Sequence, residues 1–172
     1  MRTSDRSKGL DSFDVVHDAL CAELLFGDGI LAKTMYEGTL PRDQKWTMRP
    51  KSARGELEAP VWTSWPGRKQ DGVTRTLPSA WIDYLWRATY ERPSHGSHKA
   101  ERAAILFVEV KSRLGNTGAT LRQLRLYQHL LGEGAVGVLM APQAEIERKP
   151  LLVSVIRRHG FLVCNLDLPG DR

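Results

Sequence analysis

The chain has 172 residues, of which 41% are hydrophobic and 26% are charged. This length closes one hydrophobic core, so we expect a single domain at residues 11–172 after a disordered lead-in at residues 1–10. The formal net charge of +5 permits a polyanionic partner, whereas the absence of a long apolar run excludes a membrane-spanning helix.

The two cysteines, Cys21 and Cys164, each lie in an apolar stretch without a second ligand at metal-binding spacing. Free buried thiols of this kind are typical of a reducing compartment. The first ten residues also lack the apolar region of a signal peptide. We therefore expect a cytoplasmic protein without a membrane partner.

The first predicted element is a helix that begins after Asp11, which is a suitable N-cap. Gly27 and Gly29 end it, and Glu23 is a carboxylate placed late on this helix. Its apolar residues recur at helical spacing, namely Phe13, Val16, Leu20 and Leu24. From Gly29 to Pro78 the pattern is irregular and rich in proline, and it predicts only short strands at residues 45–50 and 57–65.

The second half alternates strands and helices. The predicted elements are a strand at 81–88, a polar loop at 92–102, a buried strand at 103–112, a helix capped by Thr120 and ending at Leu131, a strand at 135–140, a helix at 145–159 interrupted near Pro150, and a strand at 161–166. This order predicts an α/β fold with a mixed sheet flanked by helices.

Three charged residues interrupt otherwise apolar strands. Glu109 and Lys111 lie two residues apart, so their side chains point to the same face of the sheet. Burying such a pair costs several kcal/mol unless the charges meet partners, although a pair near the end of a strand can also reach solvent. The preceding strand carries Asp83, and a hairpin through the 92–102 loop would bring Asp83 and Glu109 to one edge.

Two carboxylates and a backbone carbonyl, such as that of Val110, form an oxygen site suited to Mg²⁺ or Mn²⁺. Lys111 beside them could orient or deprotonate an attacking water and offset negative charge in the transition state. These residue types in this arrangement are suited to phosphodiester hydrolysis.

The segment Ile82-Asp83-Tyr84, followed by Phe107-Val108-Glu109-Val110-Lys111 and by a helix that carries Gln123, resembles the signature of the PD-(D/E)XK nucleases. Ile82 stands where the family often has proline. The resemblance implies a restriction-endonuclease-like αβββαβ core and a Mg²⁺- or Mn²⁺-dependent endonuclease. It implies that Asp83, Glu109 and Lys111 are catalytic, that Gln123 holds a water or phosphate, and that Glu23 completes the metal site.

Arg113, Arg122 and Arg125 flank the same edge and are expected to contact a nucleic-acid backbone, unless they are solvated surface residues. His17 is isolated from other ligands in the sequence, and we assign it no metal site. The alternatives to the enzyme are a catalytically silent nucleic-acid-binding or assembly subunit of the same fold in a larger DNA-processing machine, and a regulatory α/β domain. DNA or RNA as substrate, and a homodimer or a larger complex, stay open.

Overall fold

A computed structural model describes residues 12–25, 29–41, 49–61, 69–70, 73–74, 78–92 and 100–165. Its elements, in chain order, are α1 (Ser12–Leu25), α2 (Ile30–Thr39), β1 (Arg49–Val61), β2 (Lys69–Gln70), β3 (Val73–Thr74), β4 (Ala80–Arg92), β5 (Ala100–Val110), α3 (Thr117–Leu131), β6 (Val136–Ala141), α4 (Gln143–Arg148), α5 (Pro150–Arg158) and β7 (Leu162–Asn165).

Five of the strands form one mixed sheet in the order β1-β4-β5-β6-β7. The β1–β4 and β4–β5 pairs are antiparallel, whereas β5–β6 and β6–β7 are parallel. Strands β2 and β3 form a separate antiparallel pair. The prediction of a mixed sheet flanked by helices is therefore confirmed, and β5 lies at the centre of this sheet.

Helices cover both faces of the large sheet. On one face, α1 and α2 contribute buried residues such as Leu20 and Tyr36, which pack with Trp86 of β4. On the other face, Leu124 of α3 and Ile156 of α5 join a second cluster with residues of β4, β5 and β6. Burial on both faces explains why β5 appears in the sequence as a nearly continuous apolar run.

The region that seemed irregular in the sequence contains, among its described residues, the helix α2, the long strand β1 and the short strands β2 and β3. The sequence predicted two separate short strands at 45–50 and 57–65. This prediction is wrong within residues 49–61, because they form one strand of 13 residues, β1. It pairs with β4 alone in the large sheet. Such an edge strand tolerates Pro50 and Pro60, because proline has no backbone N–H to donate and an edge strand has a partner on one side only. Helix α2 was not predicted, although Ala32 and Tyr36 are buried at helical spacing.

The expected cap of α3 is also wrong. The N-cap is Asn116, whose side chain accepts a hydrogen bond from the Ala119 N–H at 3.1 Å. Thr120 lies one turn inside the helix, where its hydroxyl donates to the Asn116 carbonyl. The predicted interruption at Pro150 is confirmed, because α4 ends at Arg148 and α5 begins at Pro150.

Several predictions fall outside the described residues, namely the lead-in at 1–10, the strand residues 45–48 and 62–65, loop residues 93–99 and Leu166. None of the helices in the described part of the chain has the length and apolarity that crossing a lipid bilayer demands.

Candidate functional site

The site lies where β4 and β5 stop pairing. Tyr84 and Val108 are the last partners of this antiparallel ladder, so the next residues in register are Asp83 and Glu109. Asp83 Oδ2 accepts a hydrogen bond from the Val110 N–H at 2.7 Å. A side chain of β4 thus replaces a backbone acceptor, and it fixes one carboxylate against the end of the central strand.

Glu109 is the most deeply buried acid of the described chain, with an exposure of 1%. Its Oε1 forms an ion pair with the Lys111 ammonium, whose side chain is 32% exposed. The backbone N–H of Lys111 donates to the Met140 carbonyl at 2.9 Å, which continues the contact between β5 and β6. Among the described residues, Glu109 Oε2 has no hydrogen-bond partner, so half of this buried carboxylate is unsatisfied.

The electrostatics of Glu109 follow from this position. Burial, followed by the negative charge of Asp83, raises the pKa of Glu109 above its ordinary value, although the Lys111 ammonium opposes both effects. The two carboxylates therefore destabilise each other in their charged forms. A cation beside them would relieve that repulsion.

Tyr127 of α3 lies against the same carboxylate. Its hydroxyl donates to the Trp81 carbonyl at 2.7 Å and accepts a hydrogen bond from Gln123 Nε2 at 2.7 Å. The phenol has one proton, which the Trp81 carbonyl takes in this geometry, and the Glu109 carboxylate is the competing acceptor for it. Burial and the charge of Glu109 raise the pKa of Tyr127 to about 12, so the phenol stays neutral.

Helix α1 brings two further side chains to Asp83. His17 Nε2 lies 3.6 Å from Asp83 Oδ1, and its Nδ1 lies 3.4 Å from Asp18 Oδ1. Cys21 Sγ is 3.9 Å from the imidazole ring nitrogens. Burial, followed by the negative charge of Asp83, raises the pKa of Cys21 to about 12, so this thiol stays protonated.

Glu58 of β1 is the third acid at this level of the sheet. Leu57 pairs with Tyr84 and Ala59 with Ile82, which leaves Glu58 opposite Asp83. Its φ of 46° is in the left-handed region, which costs a non-glycine residue roughly 1–3 kcal/mol. The exposed Glu58 carboxylate also contributes to the raised pKa of Cys21, so its charge acts on the same region.

Sequence reasoning missed His17 and Glu58 for different reasons. His17 stands three and four residues before Leu20 and Cys21, which places it on the buried stripe of α1. This spacing could have placed His17 on the buried face of α1, but nothing in the sequence indicated a partner for its imidazole. The conformation of Glu58 has no counterpart in the sequence, because nothing there marks a glutamate for the left-handed region.

The remaining predicted residues lie at different distances from this centre. Gln123 contacts Tyr127 rather than either carboxylate. Val110 supplies its N–H to Asp83. Glu23 lies within α1, and its side chain falls outside the described residues.

The three predicted phosphate-binding arginines are exposed. Arg125 forms a 2.7 Å hydrogen bond with His159 Nδ1. Burial would raise the pKa of Glu145, but hydrogen bonds from Arg148 and from the Leu114 N–H outweigh it, and the charges of Arg148 and Arg113 add to the net decrease of this pKa. Arg122 stands on the outer surface of α3 near Gly118.

Within the described ranges, no three His, Cys, Asp or Glu side chains gather closely enough to hold a metal ion by themselves. What the site offers is a smaller donor set. Asp83 Oδ1 and Glu109 Oε2 are the two carboxylate oxygens that are not held by the Val110 N–H or the Lys111 ammonium. A cation at such a site would need water or a ligand to complete its coordination.

Comparison with family models, with curated proteins and with solved structures finds no match to this chain.

Proposed function

We propose that this chain is a metal-dependent endonuclease with a restriction-endonuclease-like fold, which hydrolyses phosphodiester bonds in nucleic acid and takes DNA as its substrate. The observation that carries the proposal is the Glu109 carboxylate. It is 1% exposed, pairs with Lys111 through one oxygen and leaves the other without a partner in the described chain. Such an arrangement is costly in a purely structural role.

The donor set supports a hard divalent cation. Asp83 and Glu109 would hold it through oxygen, and Mg²⁺ commonly binds one or two protein carboxylates while water and substrate phosphate oxygens complete its shell. When bound, the ion supplies Lewis-acid stabilisation of a phosphoryl oxygen and a more acidic water. The raised pKa of Glu109 has the sign expected for carboxylates that lack their cation.

The protein's own side chains supply positioning and charge. Lys111 extends from the buried Glu109 towards solvent, where its ammonium would orient the attacking water and stabilise negative charge on the phosphate. The Val110 N–H holds Asp83 in place. Tyr127 and Gln123 tie α3 to the start of β4 through the Trp81 carbonyl, which supports the geometry of β4 beside the site.

The topology is compatible with the proposed fold. An N-terminal helix packs on the sheet, three antiparallel strands follow in the large sheet, and α3 then crosses from β5 to the parallel strand β6. The sequence order of these elements is the αβββαβ order that the resemblance implies. The additional helix α2 and the pair β2–β3 are departures from that minimal core.

The test is cleavage of supercoiled plasmid, linear duplex, single-stranded DNA and RNA with Mg²⁺, Mn²⁺ or EDTA. We expect nicking or cutting that requires the metal and disappears in EDTA. Gel-shift binding is measured in parallel with Ca²⁺. Binding without cleavage under every metal condition would identify a silent subunit, and neither binding nor cleavage would refute a role in nucleic-acid processing.

A further inference from the structure

The His17 imidazole faces the Asp83 oxygen that the backbone leaves available. His17 Nε2 lies 3.6 Å from Asp83 Oδ1, while Asp83 Oδ2 is held by the Val110 N–H. Both side chains are partly buried, with exposures of 33% and 23%. The imidazole was expected to be isolated, and the fold instead places it against a proposed metal ligand.

The other ring nitrogen sets the chemistry of this contact. Nδ1 faces Asp18 Oδ1 at 3.4 Å, and a carboxylate there favours the tautomer that carries the proton on Nδ1. In that tautomer Nε2 presents a lone pair to Asp83 Oδ1. Two acceptors that face each other repel unless a proton or a metal cation lies between them.

The spacing suits a shared cation. Two donor atoms that are each about 2.1 Å from one ion lie roughly 3.0 Å apart at a right angle and about 4.2 Å apart in line. The separation of 3.6 Å falls between these limits. The distance between the two donor atoms is therefore one that a shared ion allows.

We propose that His17 Nε2 and Asp83 Oδ1 are joint ligands of a first-row transition cation such as Mn²⁺, Fe²⁺, Co²⁺ or Zn²⁺, with Asp18 as the residue that orients the imidazole. This inference rests on the proposed function for the role of Asp83, and it changes which metal the site prefers. Imidazole is a good ligand for transition metals, whereas Mg²⁺ strongly prefers oxygen. The site therefore favours Mn²⁺ over Mg²⁺ because of a residue on α1.

Direct metal binding tests this assignment without reference to cleavage. The free Mn²⁺ signal in electron paramagnetic resonance and titration calorimetry with MgCl₂ give the two affinities for the parent, His17→Gln and His17→Phe. We expect each substitution to weaken Mn²⁺ binding by about tenfold or more and to change Mg²⁺ binding much less. His129→Gln, on the exposed surface of α3, is the matched control and should bind both metals as the parent does.

Asp18→Asn adds a second test, because it retains the ligands and removes the orienting charge. We expect weaker Mn²⁺ binding than in the parent, but a smaller loss than for His17→Phe, since Asp18 is 79% exposed. The visible spectrum of bound Co²⁺ should also change in His17→Phe, because a nitrogen donor is lost. Melting curves without metal establish that all variants are folded.

Two outcomes overturn the inference. Unchanged or tighter Mn²⁺ binding in both His17 variants would mean that the imidazole only pairs with Asp83, and a parent that binds no Mn²⁺ at millimolar concentration would exclude the site. These results are separable from the proposed function. If the chain binds Mn²⁺ through His17 but cuts no nucleic acid, the metal site is supported and the proposed nuclease function is refuted. If the chain cuts with Mg²⁺ and the His17 substitutions do not change metal binding, the nuclease function is supported and this metal site is refuted.

Discussion

Asp83 Oδ2 accepts a hydrogen bond from the Val110 N–H at 2.7 Å, at the point where the ladder between β4 and β5 has ended. The bond joins a side chain of one strand to the backbone of the next and brings Asp83 beside Glu109. The charge of Asp83 then acts on a carboxyl that is 1% exposed and raises its pKa. Because of this relationship, the charges of the two acids depend on each other.

Asp83→Asn should stabilise the protein in the absence of metal, because it removes a negative charge beside Glu109 and keeps an amide oxygen that can accept from Val110. We expect a gain of about 1 kcal/mol, which corresponds to an increase in Tm of roughly 2–4 °C for a chain of this size. Adding Mn²⁺ should raise the Tm of the parent and have a smaller effect on the variant.

Thermal melting in EDTA and in Mn²⁺ measures both effects, and Glu133→Gln, an exposed acid after α3, is the control. A parent and an Asp83→Asn variant with the same response to Mn²⁺ would show that the metal does not bind at Asp83.

Lys111→Ala should destabilise the fold as well as impair activity, because it leaves the buried Glu109 without its ammonium. Breaking a fully buried pair costs about 3–5 kcal/mol. Since Lys111 is 32% exposed, we expect a smaller loss of about 1–3 kcal/mol. Glu109→Gln combined with Lys111→Ala should recover much of this loss, because the uncompensated charge is gone.

Urea unfolding of the parent, the two single variants and the double variant forms a complete thermodynamic cycle. Additive effects in that cycle would mean that the pair does not contribute to the stability of the folded state.

The sequence predicted the architecture well where residue patterns are periodic and buried. The apolar run around Glu109 marks the central strand, and Pro150 marks the break between α4 and α5. It predicted less at the edge of the sheet, because the exposed strand β1 has no strong alternation and contains two prolines. In the site, the positions of Asp83 and Glu109 on two neighbouring strands were sufficient to predict that their carboxylates lie close together. The approach of His17 depends on how α1 packs on the sheet, which spacing alone does not specify.

The raised pKa of Glu109 also predicts a pH dependence. In the folded chain Glu109 binds its proton at a pH where the unfolded chain, with a pKa near the ordinary 4.5, has already released it. The folded state therefore holds more protons in that window, and stability must fall as pH rises from 4.5 through the folded pKa. Below 4.5 this contribution is fully present.

Urea unfolding in EDTA at several pH values should show this decrease in the parent relative to Glu109→Gln, in which the titrating group is absent. A difference between the two proteins that is constant with pH would contradict the predicted shift.

Tyr127→Phe should destabilise the chain by about 1–2 kcal/mol, because the Trp81 carbonyl loses its donor and Gln123 loses its acceptor. The ring packs edge-on against Phe107, and this contact is retained in the variant. Chemical unfolding of Tyr127→Phe, Gln123→Ala and the double variant should show non-additive losses. Independent losses would mean that the two side chains do not act as one unit.

We propose that Glu109 serves nucleic-acid cleavage and does not act in folding alone. The direct test of this proposal is the single-turnover rate of DNA cleavage in Mn²⁺, measured for the parent, Glu109→Gln and Glu101→Gln. Glu101 lies on the same strand, is exposed and pairs with Lys51, so its substitution controls for the loss of one negative charge on β5. We expect Glu109→Gln to lower the rate by about 10²-fold or more, while Glu101→Gln should cut as the parent does. A folded Glu109→Gln protein that cleaves at the parent's rate, or a parent that cleaves no nucleic acid with any divalent metal, would contradict this proposal.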